Sequence, residues 1–368
     1  MAVIHIVLGK ANPDRMNGVN RVVHELCTRQ HQAAMSIELW GITAHPVHDY
    51  PERVYRTRLF HPCNNPFRVT PALAGAIREM DPHTVFHLHG GFIPAMYAIS
   101  RYLSRKGFRF VFTPHGSYNL VAMERNKRLK GLYMRLFERA LLERSAAVHC
   151  LGSSEAEGVR SLLPGIHTVL IPYGWDLPEE ASVPAEGTPF VVAYCGRLDV
   201  YTKGLLELVE GFDRFHERRP DARLWIIGDG AERQKLEQFA QTLPCYPALQ
   251  FWGARYGDDK VKLLRQCKVF AAPSRNEGLP ASVLEAAAMG IPCLVTKATN
   301  VGEAIQAFHA GTVIDRTSAG DIGRALDDLY YTMADQRRGT AMGRNARAMV
   351  AAEFNWGHVL AKFQNLYA

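Results

Sequence analysis

Short apolar runs that end at glycine or proline recur along the chain, and apolar positions three and four apart follow most of them. Val3–Leu8 runs into Gly9 and reads as a buried strand. The polar loop Lys10–Asn17 follows, broken by Asn12-Pro13 and Asn17-Gly18; Val19, Val22, Val23 and Leu26 then recur at helical spacing. Thr84–Leu88 is a second run, followed by His89-Gly90-Gly91 and a helical stretch over Ile93–Lys106. Phe108–Thr113 ends at Pro114-His115-Gly116, and Ala146–Cys150 and Thr168–Ile171 extend the series. Strands separated by helices need crossover connections, so the pattern predicts a parallel sheet covered by helices on both faces.

The same grammar restarts after a break. Asp176–Pro189 (DLPEEASVPAEGTP) is rich in proline and acids and reads as a linker. Phe190–Tyr194 is then a strand, and Leu205, Leu206, Val209, Phe212 and Phe215 form a helical stripe. Leu224–Ile227, Leu249–Trp252, Val269–Ala272, Pro292–Val295 and Gly311–Ile314 continue the alternation. The architecture repeats while the sequence does not. This predicts an α/β protein with two doubly wound, Rossmann-like domains, over residues 1–175 and 190–350. Residues 176–189 are the expected linker. In such sheets ligands bind beyond the carboxyl ends of the strands, where the glycine-rich segments fall. If the domains face one another, those segments line one cleft.

Composition narrows the setting. The chain has 368 residues, of which 47% are hydrophobic and 21% charged, so it can bury a sizeable core and is not a disordered chain. No apolar stretch reaches the roughly 18 residues of a membrane span, and Ala2–Leu8 lacks the basic flank of a signal peptide. Seven scattered cysteines without a Cys-x-x-Cys pair suit a reducing cytoplasm. The net charge of +7 is uneven: residues 1–175 carry 21 Lys and Arg against 12 Asp and Glu, and residues 176–368 carry 22 against 24. A basic half points to an anionic partner, whether nucleic acid, membrane surface or phosphorylated substrate, or to a solubilising surface.

Two clusters carry candidate chemistry. Gly196-Arg197-Leu198-Asp199 followed by Lys203-Gly204 lies between a strand and a helix. Gly196 lets backbone approach a ligand, Arg197 can grip phosphate oxygens as a fork, and Lys203 adds a point charge near a helix start. The bland alternative pairs Arg197 and Lys203 with Asp199 and Glu207. In the second cluster, Asn276 through Glu285, two carboxylates stand eight residues apart. Pro280 suits a first helical turn and Gly290 with Pro292 a helix stop. Glu277 then precedes the helix, Glu285 lies one to two turns inside it, and the Gly278 and Leu279 amides can meet a phosphate or sugar oxygen. The bland alternative is a capping acid plus a surface glutamate.

Taken together, Gly196-Arg197, Lys203-Gly204, Ile226-Ile227-Gly228-Asp229-Gly230, and Glu277-Gly278-Leu279-Pro280 followed by Leu284-Glu285-Ala286 resemble the retaining glycosyltransferases of family 4. Their signature is the Glu-x7-Glu spacing seen from Glu277 to Glu285. The N-terminal half matches more loosely, at Asn17-Gly18-Val19, His87-Leu88-His89-Gly90, Thr113-Pro114-His115-Gly116 and Ser154-Glu155. Phe354-Asn355-Trp356 resembles the start of the C-terminal helix that crosses back to the first domain, here residues 351–368. The resemblance spans essentially the whole chain and implies the GT-B fold.

It also implies roles. Arg197 and Lys203 would hold the donor diphosphate, Glu277 the donor sugar and Glu285 the ribose. Gly228, Gly278 and Leu279 would line the donor site, and Gly18 would leave room for the diphosphate. His115 would sit near the transferred sugar, and Asn17, His89 and Tyr118 would lie on the acceptor side. Arg197, Lys203, Glu277 and His115 are the expected catalytic set. Donors preorganised at the diphosphate stabilise the charge that builds as the glycosyl–phosphate bond breaks. The resemblance implies front-face attack, so no enzymic nucleophile is named. Two departures bear on sugar and acceptor choice: Pro172-Tyr173-Gly174 replaces an Asn-Gly, and Thr296–Asn300 replaces a Gly-Gly turn.

Other chemistries fit less well. Hydrolysis by paired carboxylates needs both to flank one bond, whereas Glu277 and Glu285 would serve different parts of the donor. His83, His87, His89 and His115 lack metal-site spacing, and no Asp-x-Asp pair exists, so no metal or other cofactor is expected. A dehydrogenase fingerprint fails because position 233 is Arg. A nucleotide-sugar-binding protein and an epimerase of the same fold are the rivals. Met123–Arg144 carries seven Lys and Arg among Leu129, Leu132, Tyr133, Leu136, Leu141 and Leu142. It reads equally as a basic amphipathic helix for an anionic membrane or as an ordinary packed helix. No basic, aromatic-interleaved platform for nucleic acid is present. The expected partners are a nucleotide-sugar and a glycan or lipid-linked acceptor. The expected place is the cytoplasm, peripheral on the inner face of the membrane.

Overall fold

The computed structural model describes residues 2–12, 18–119, 123, 126–179 and 188–368. The chain forms two compact units. One comprises Met1–Tyr173 with Trp356–Ala368, the other Gly174–Asn355. The division differs from the sequence boundaries at both ends: the first unit stops at Tyr173, and helix Gln336–Glu353 stays with the second, so the returning segment begins at Trp356 rather than 351. The Trp175 amide donates to the carbonyl of Phe354 at 2.7 Å, tying the two ends of the second unit together. Most of the expected linker lies outside the described residues.

The first unit holds seven parallel strands: β1 (Ala2–Leu8), β2 (Ser36–Ile42), β3 (Arg56–Phe60), β4 (Val85–His89), β5 (Phe110–Thr113), β6 (Ala147–Cys150) and β7 (Thr168–Leu170). They run in the order β3-β2-β1-β4-β5-β6-β7. The second unit has six: β8 (Val191–Cys195), β9 (Arg223–Ile227), β10 (Leu249–Gly253), β11 (Val269–Ala272), β12 (Cys293–Thr296) and β13 (Gly311–Ile314), in the order β10-β9-β8-β11-β12-β13. The order reverses between β1 and β4 in one sheet and between β8 and β11 in the other. The loops following those strands therefore flank the crevices where such sheets take ligands.

Each sheet is buried on both faces. In the second unit, helix Leu205–His216 buries Leu205, Leu208, Val209, Phe212 and Phe215, a stripe at helical spacing. In the first, the C-terminal helix Trp356–Tyr367 buries Trp356, Val359, Phe363, Leu366 and Tyr367 against Val3, Val7, Leu26, Val111 and Ile171. Its last carbonyls, on Leu366 and Tyr367, accept from the Arg109 guanidinium, a favourable end for a helix whose free C=O groups and dipole attract a cation.

The segment expected as one basic helix is less regular. Lys127–Tyr133 is helical, Met134–Glu138 widens into a π-turn, and Arg139–Arg144 resumes the α-helix. Its leucines divide. Leu141 and Leu142 join the core, whereas Leu129, Leu132 and Leu136 are 68%, 56% and 54% exposed.

Candidate functional site

In the second unit, strand ends and tight glycines bring the two sequence clusters together. Beyond β8, the Gly196 amide donates to the Ile227 carbonyl at 2.9 Å. Gly228 has φ +150°, and a Cβ there would stand 1.8 Å from the Gly196 carbonyl oxygen, so the two loops pass backbone to backbone. Asp199 caps a one-turn helix, Val200–Lys203, by accepting from the Thr202 amide at 3.0 Å. Gly204 is left-handed at φ +66°, and a Cβ would meet Thr317 Cγ2 at 2.3 Å and the Pro273 oxygen at 2.5 Å. Lys203 therefore ends one short helix rather than starting the next.

The Lys203 ammonium donates to Glu277 Oε1, with both side chains more than four-fifths buried. The Ser274 hydroxyl donates to the same oxygen at 3.2 Å. Glu207, the bland partner for Lys203, instead takes Arg275 at 2.6 Å. The Arg197 side chain is 69% exposed, with Asp199 4.0 Å from its guanidinium. Glu285 lies within helix Ala281–Ala288, preceded by Pro280 at its N-cap, and pairs with Lys260 at 2.7 Å. The left-handed Asn300 (φ +56°) donates its side-chain amide to the carbonyls of Glu277 and Gly278 at 2.7 and 2.6 Å. The loop that departs from a Gly-Gly turn thus braces the loop bearing Glu277, Gly278 and Leu279. Sequence reasoning missed Ser274, Lys260 and Asn300, because their partners are set by tertiary placement and no local spacing marks them.

In the first unit, His115 and Gly116 turn the chain sharply beyond β5, both with positive φ, +55° and +81°. A histidine there is strained, and such residues collect at functional sites. Glu155 holds the turn: its carboxylate accepts from the Gly116 amide and, at 3.1 Å, from the Leu151 amide. Burial pushes its carboxyl up to about 7, although these two donors favour the charged form.

Two of the expected acceptor-side residues are placed otherwise. Tyr118 is fully buried and donates its hydroxyl to the buried Glu138, so it is part of the core. His89 is buried too, with His5 on one ring nitrogen and His115 on the other, at 2.9 and 3.0 Å. Asn17 lies outside the described residues; Gly18 opens the helix Gly18–Gln32.

The histidines form a larger group than spacing suggested. His5, His87 and His89 bring ring nitrogens within 4.8 Å of one another, a grouping a metal could use. All six nitrogens, however, already have hydrogen-bond partners. Burial lowers His5 and His149 to about 4 and His115 to about 3, and holds His87 and His89 well below the ordinary imidazole range. The group is uncharged at neutral pH. His83, weighed with them as a metal ligand and set aside on spacing, is exposed.

Comparison with known proteins agrees with this geometry. The family model described as Glycosyltransferase Family 4 matches residues 16–178, and that described as Glycosyl transferases group 1 matches residues 178–349. The chain belongs to these glycosyltransferases. A GDP-mannose:cellobiosyl-diphosphopolyprenol alpha-mannosyltransferase of Xanthomonas campestris is 24% identical over 388 residues, covering 100% of this chain and 96% of that protein. A D-inositol 3-phosphate glycosyltransferase of Corynebacterium kroppenstedtii is 27% identical over 224 residues, 58% of this chain and 49% of that one. The chain thus spans about half the length of the first curated relatives it matches. Among solved structures, sucrose-phosphate synthase from Thermosynechococcus elongatus superposes with a TM-score of 0.79 at 20% identity, covering 100% of this chain and 98% of that one. The fold is GT-B.

Proposed function

We propose that this chain moves a sugar, with retention of configuration, from a UDP- or GDP-sugar to a glycan or polyprenyl-diphosphate-linked acceptor. The observation that carries the reading is the meeting of Lys203 with Glu277 beside the exposed Arg197, at the point where the strand order of the second sheet reverses. A donor diphosphate offers Lys203 a stronger partner than one carboxylate, and Arg197 closes on it as a fork. Glu277, released, accepts from hydroxyls of the donor sugar; Glu285, held by Lys260, accepts from the ribose. With two cations on the leaving group, the reaction needs no metal. His115 lies near the transferred sugar. The printed name of the Xanthomonas relative supports GDP-mannose as the first donor to test and a lipid diphosphate as the acceptor.

The first unit supports a lipid-linked acceptor in two ways. Leu129, Leu132 and Leu136 are exposed among Arg128, Arg135 and Arg139, as a helix lying on an anionic membrane requires. A cavity of about 200 Å³, lined by Leu8, Ile42, Pro62, Leu73, Ile93 and Ile99, opens beyond the ends of β1 and β2. Among the described residues no helix is long and apolar enough to cross a membrane. The proposed place is the inner face of the cytoplasmic membrane.

Calorimetric titration with GDP-mannose and UDP-glucose tests the donor site. One of them is expected to bind, and Lys203→Ala and Arg197→Ala should each weaken binding at least tenfold, the scale of a lost charge-assisted hydrogen bond. Equal affinity in wild type and both variants would remove the diphosphate assignment.

A further inference from the structure

A continuous line of hydrogen bonds crosses the first unit and involves five histidines, the buried His5, His87, His89 and His149 and the half-buried His115. It starts at the Tyr173 hydroxyl, 2.9 Å from His115 Nδ1. His115 Nε2 meets His89 Nδ1 at 3.0 Å, and His89 Nε2 meets His5 Nδ1 at 2.9 Å. His5 Nε2 meets Gln30 Oε1 at 2.8 Å, and Gln30 Nε2 lies 3.2 Å from the Tyr367 hydroxyl on the C-terminal helix. From there the line runs to His87 Nδ1 at 2.8 Å, from His87 Nε2 to Thr113 Oγ1 at 2.6 Å, and from Thr113 to His149 Nδ1 at 2.7 Å. It ends where His149 Nε2 meets the Ile171 carbonyl at 2.7 Å.

The last contact fixes the direction of every other one. A carbonyl only accepts, so His149 carries its proton on Nε2 and, being neutral, accepts at Nδ1. Thr113 must then donate to His149 and accept from His87 Nε2–H. His87 Nδ1 is left with a lone pair, so Tyr367 donates to it and accepts from the Gln30 amide N–H. Gln30 Oε1 therefore faces His5 Nε2–H, His5 Nδ1 accepts from His89 Nε2–H, and His89 Nδ1 accepts from His115 Nε2–H. His115 Nδ1 accepts from Tyr173. Along the line each contact pairs one donor with one acceptor, so reversing one link sets two lone pairs or two protons face to face.

We propose that this circuit is a positioning device: it makes Nδ1 of His115 an obligate hydrogen-bond acceptor, so the group that takes the place of the Tyr173 hydroxyl there is a sugar hydroxyl and not a phosphate oxygen. The proposal rests on the reading that His115 stands at the donor sugar. It makes Tyr173, His89, His5, Gln30 and Tyr367 positioning residues, and it gives a purpose to Tyr173, one of the departures from the family pattern. It also assigns the buried histidines a role other than metal binding, since a metal would need nitrogens that already serve the line.

Nitrogen NMR of the histidine rings in the full chain tests the circuit without reference to activity. At pH 7 all five rings are expected as neutral Nε2–H tautomers. An Nδ1–H or charged ring among them, or one tightly held metal ion per chain by elemental analysis, would overturn it. Tyr367→Phe removes one hydroxyl, which frees the Gln30 amide to turn. His5, His89 and His115 are then expected to become tautomer mixtures, although His115 is four links away. A merely structural contact would disturb only Gln30 and His87, and that outcome would overturn the proposal. Thr113→Val cuts the line elsewhere at nearly constant shape and is expected to mix the same rings. In both variants kcat should fall about fivefold, the scale of one positioning hydrogen bond, with the donor KM changed less than twofold. Mixed tautomers with unchanged kcat would overturn the positioning role. A wild-type chain that binds no nucleotide-sugar but shows five Nε2–H rings would refute the functional reading and leave the circuit standing.

Discussion

Lys203 and Glu277 are 74 positions apart, and the fold joins them in a largely buried ion pair. The sequence spacing carried the residue types and their order, but not the pairing, which arises because β8 and β11 are neighbours in the sheet. The histidines follow the same logic. His5, His87, His89 and His149 each interrupt an apolar strand; the first three meet across the adjacent strands β1 and β4, and Thr113 on β5 joins His149 to His87. The one-dimensional pattern showed His87 and His89 on one strand face but gave no register for His5. Their burial has a consequence for pH. The folded state holds these rings neutral, while an unfolded chain protonates them near 6.5, so the unfolded state binds more protons as pH falls from about 6.5 toward 4 and stability drops. Glu155 works the other way, since its raised carboxyl binds a proton in the folded state up to about pH 7 and acidification favours folding through it. Five rings outweigh it. The urea midpoint is expected to be clearly lower at pH 5 than at pH 7; an equal or higher midpoint at pH 5 would show that the rings are charged in the folded chain.

At the scale of elements, helices and strands were legible where periodicity was unbroken. Two strands were missed. In β2, Glu38 and Gly41 interrupt the apolar run, and in β3 two arginines flank Thr57, as an edge strand with solvent beside it permits. The basic segment was legible as a helix, but not its division. The π-turn at Met134–Glu138 shifts the register, so that Met134, Leu141 and Leu142 face the core while Leu129, Leu132 and Leu136 face out. Solvent-facing leucines next to cations motivate a direct test. The chain should float with vesicles containing anionic lipid at low salt and not with neutral vesicles, and Leu129→Ser with Leu132→Ser and Leu136→Ser should cut the bound fraction severalfold. Equal recovery with both vesicle types would exclude this face as a membrane contact.

At the scale of the molecule, two doubly wound sheets were readable because parallel βα units repeat a simple pattern, and the reversal points of strand order locate both residue clusters. The division of the chain was less readable. A returning helix leaves no mark in local composition, and its place is set by the apolar face it buries against β1 and its neighbours. The Arg197, Lys203 and Glu277 group is proposed to activate a nucleotide-sugar for transfer. The most direct measurement is nucleotide release and glycosylated product from GDP-mannose, with and without a polyprenyl-diphosphate-linked glycan, in wild type, Arg197→Ala and Lys203→Ala. The wild type is expected to form product only with the acceptor, and each variant to be slower by about 10²–10³, as when one preorganised charge-stabilising donor is removed. Wild-type rates in both variants would contradict the account.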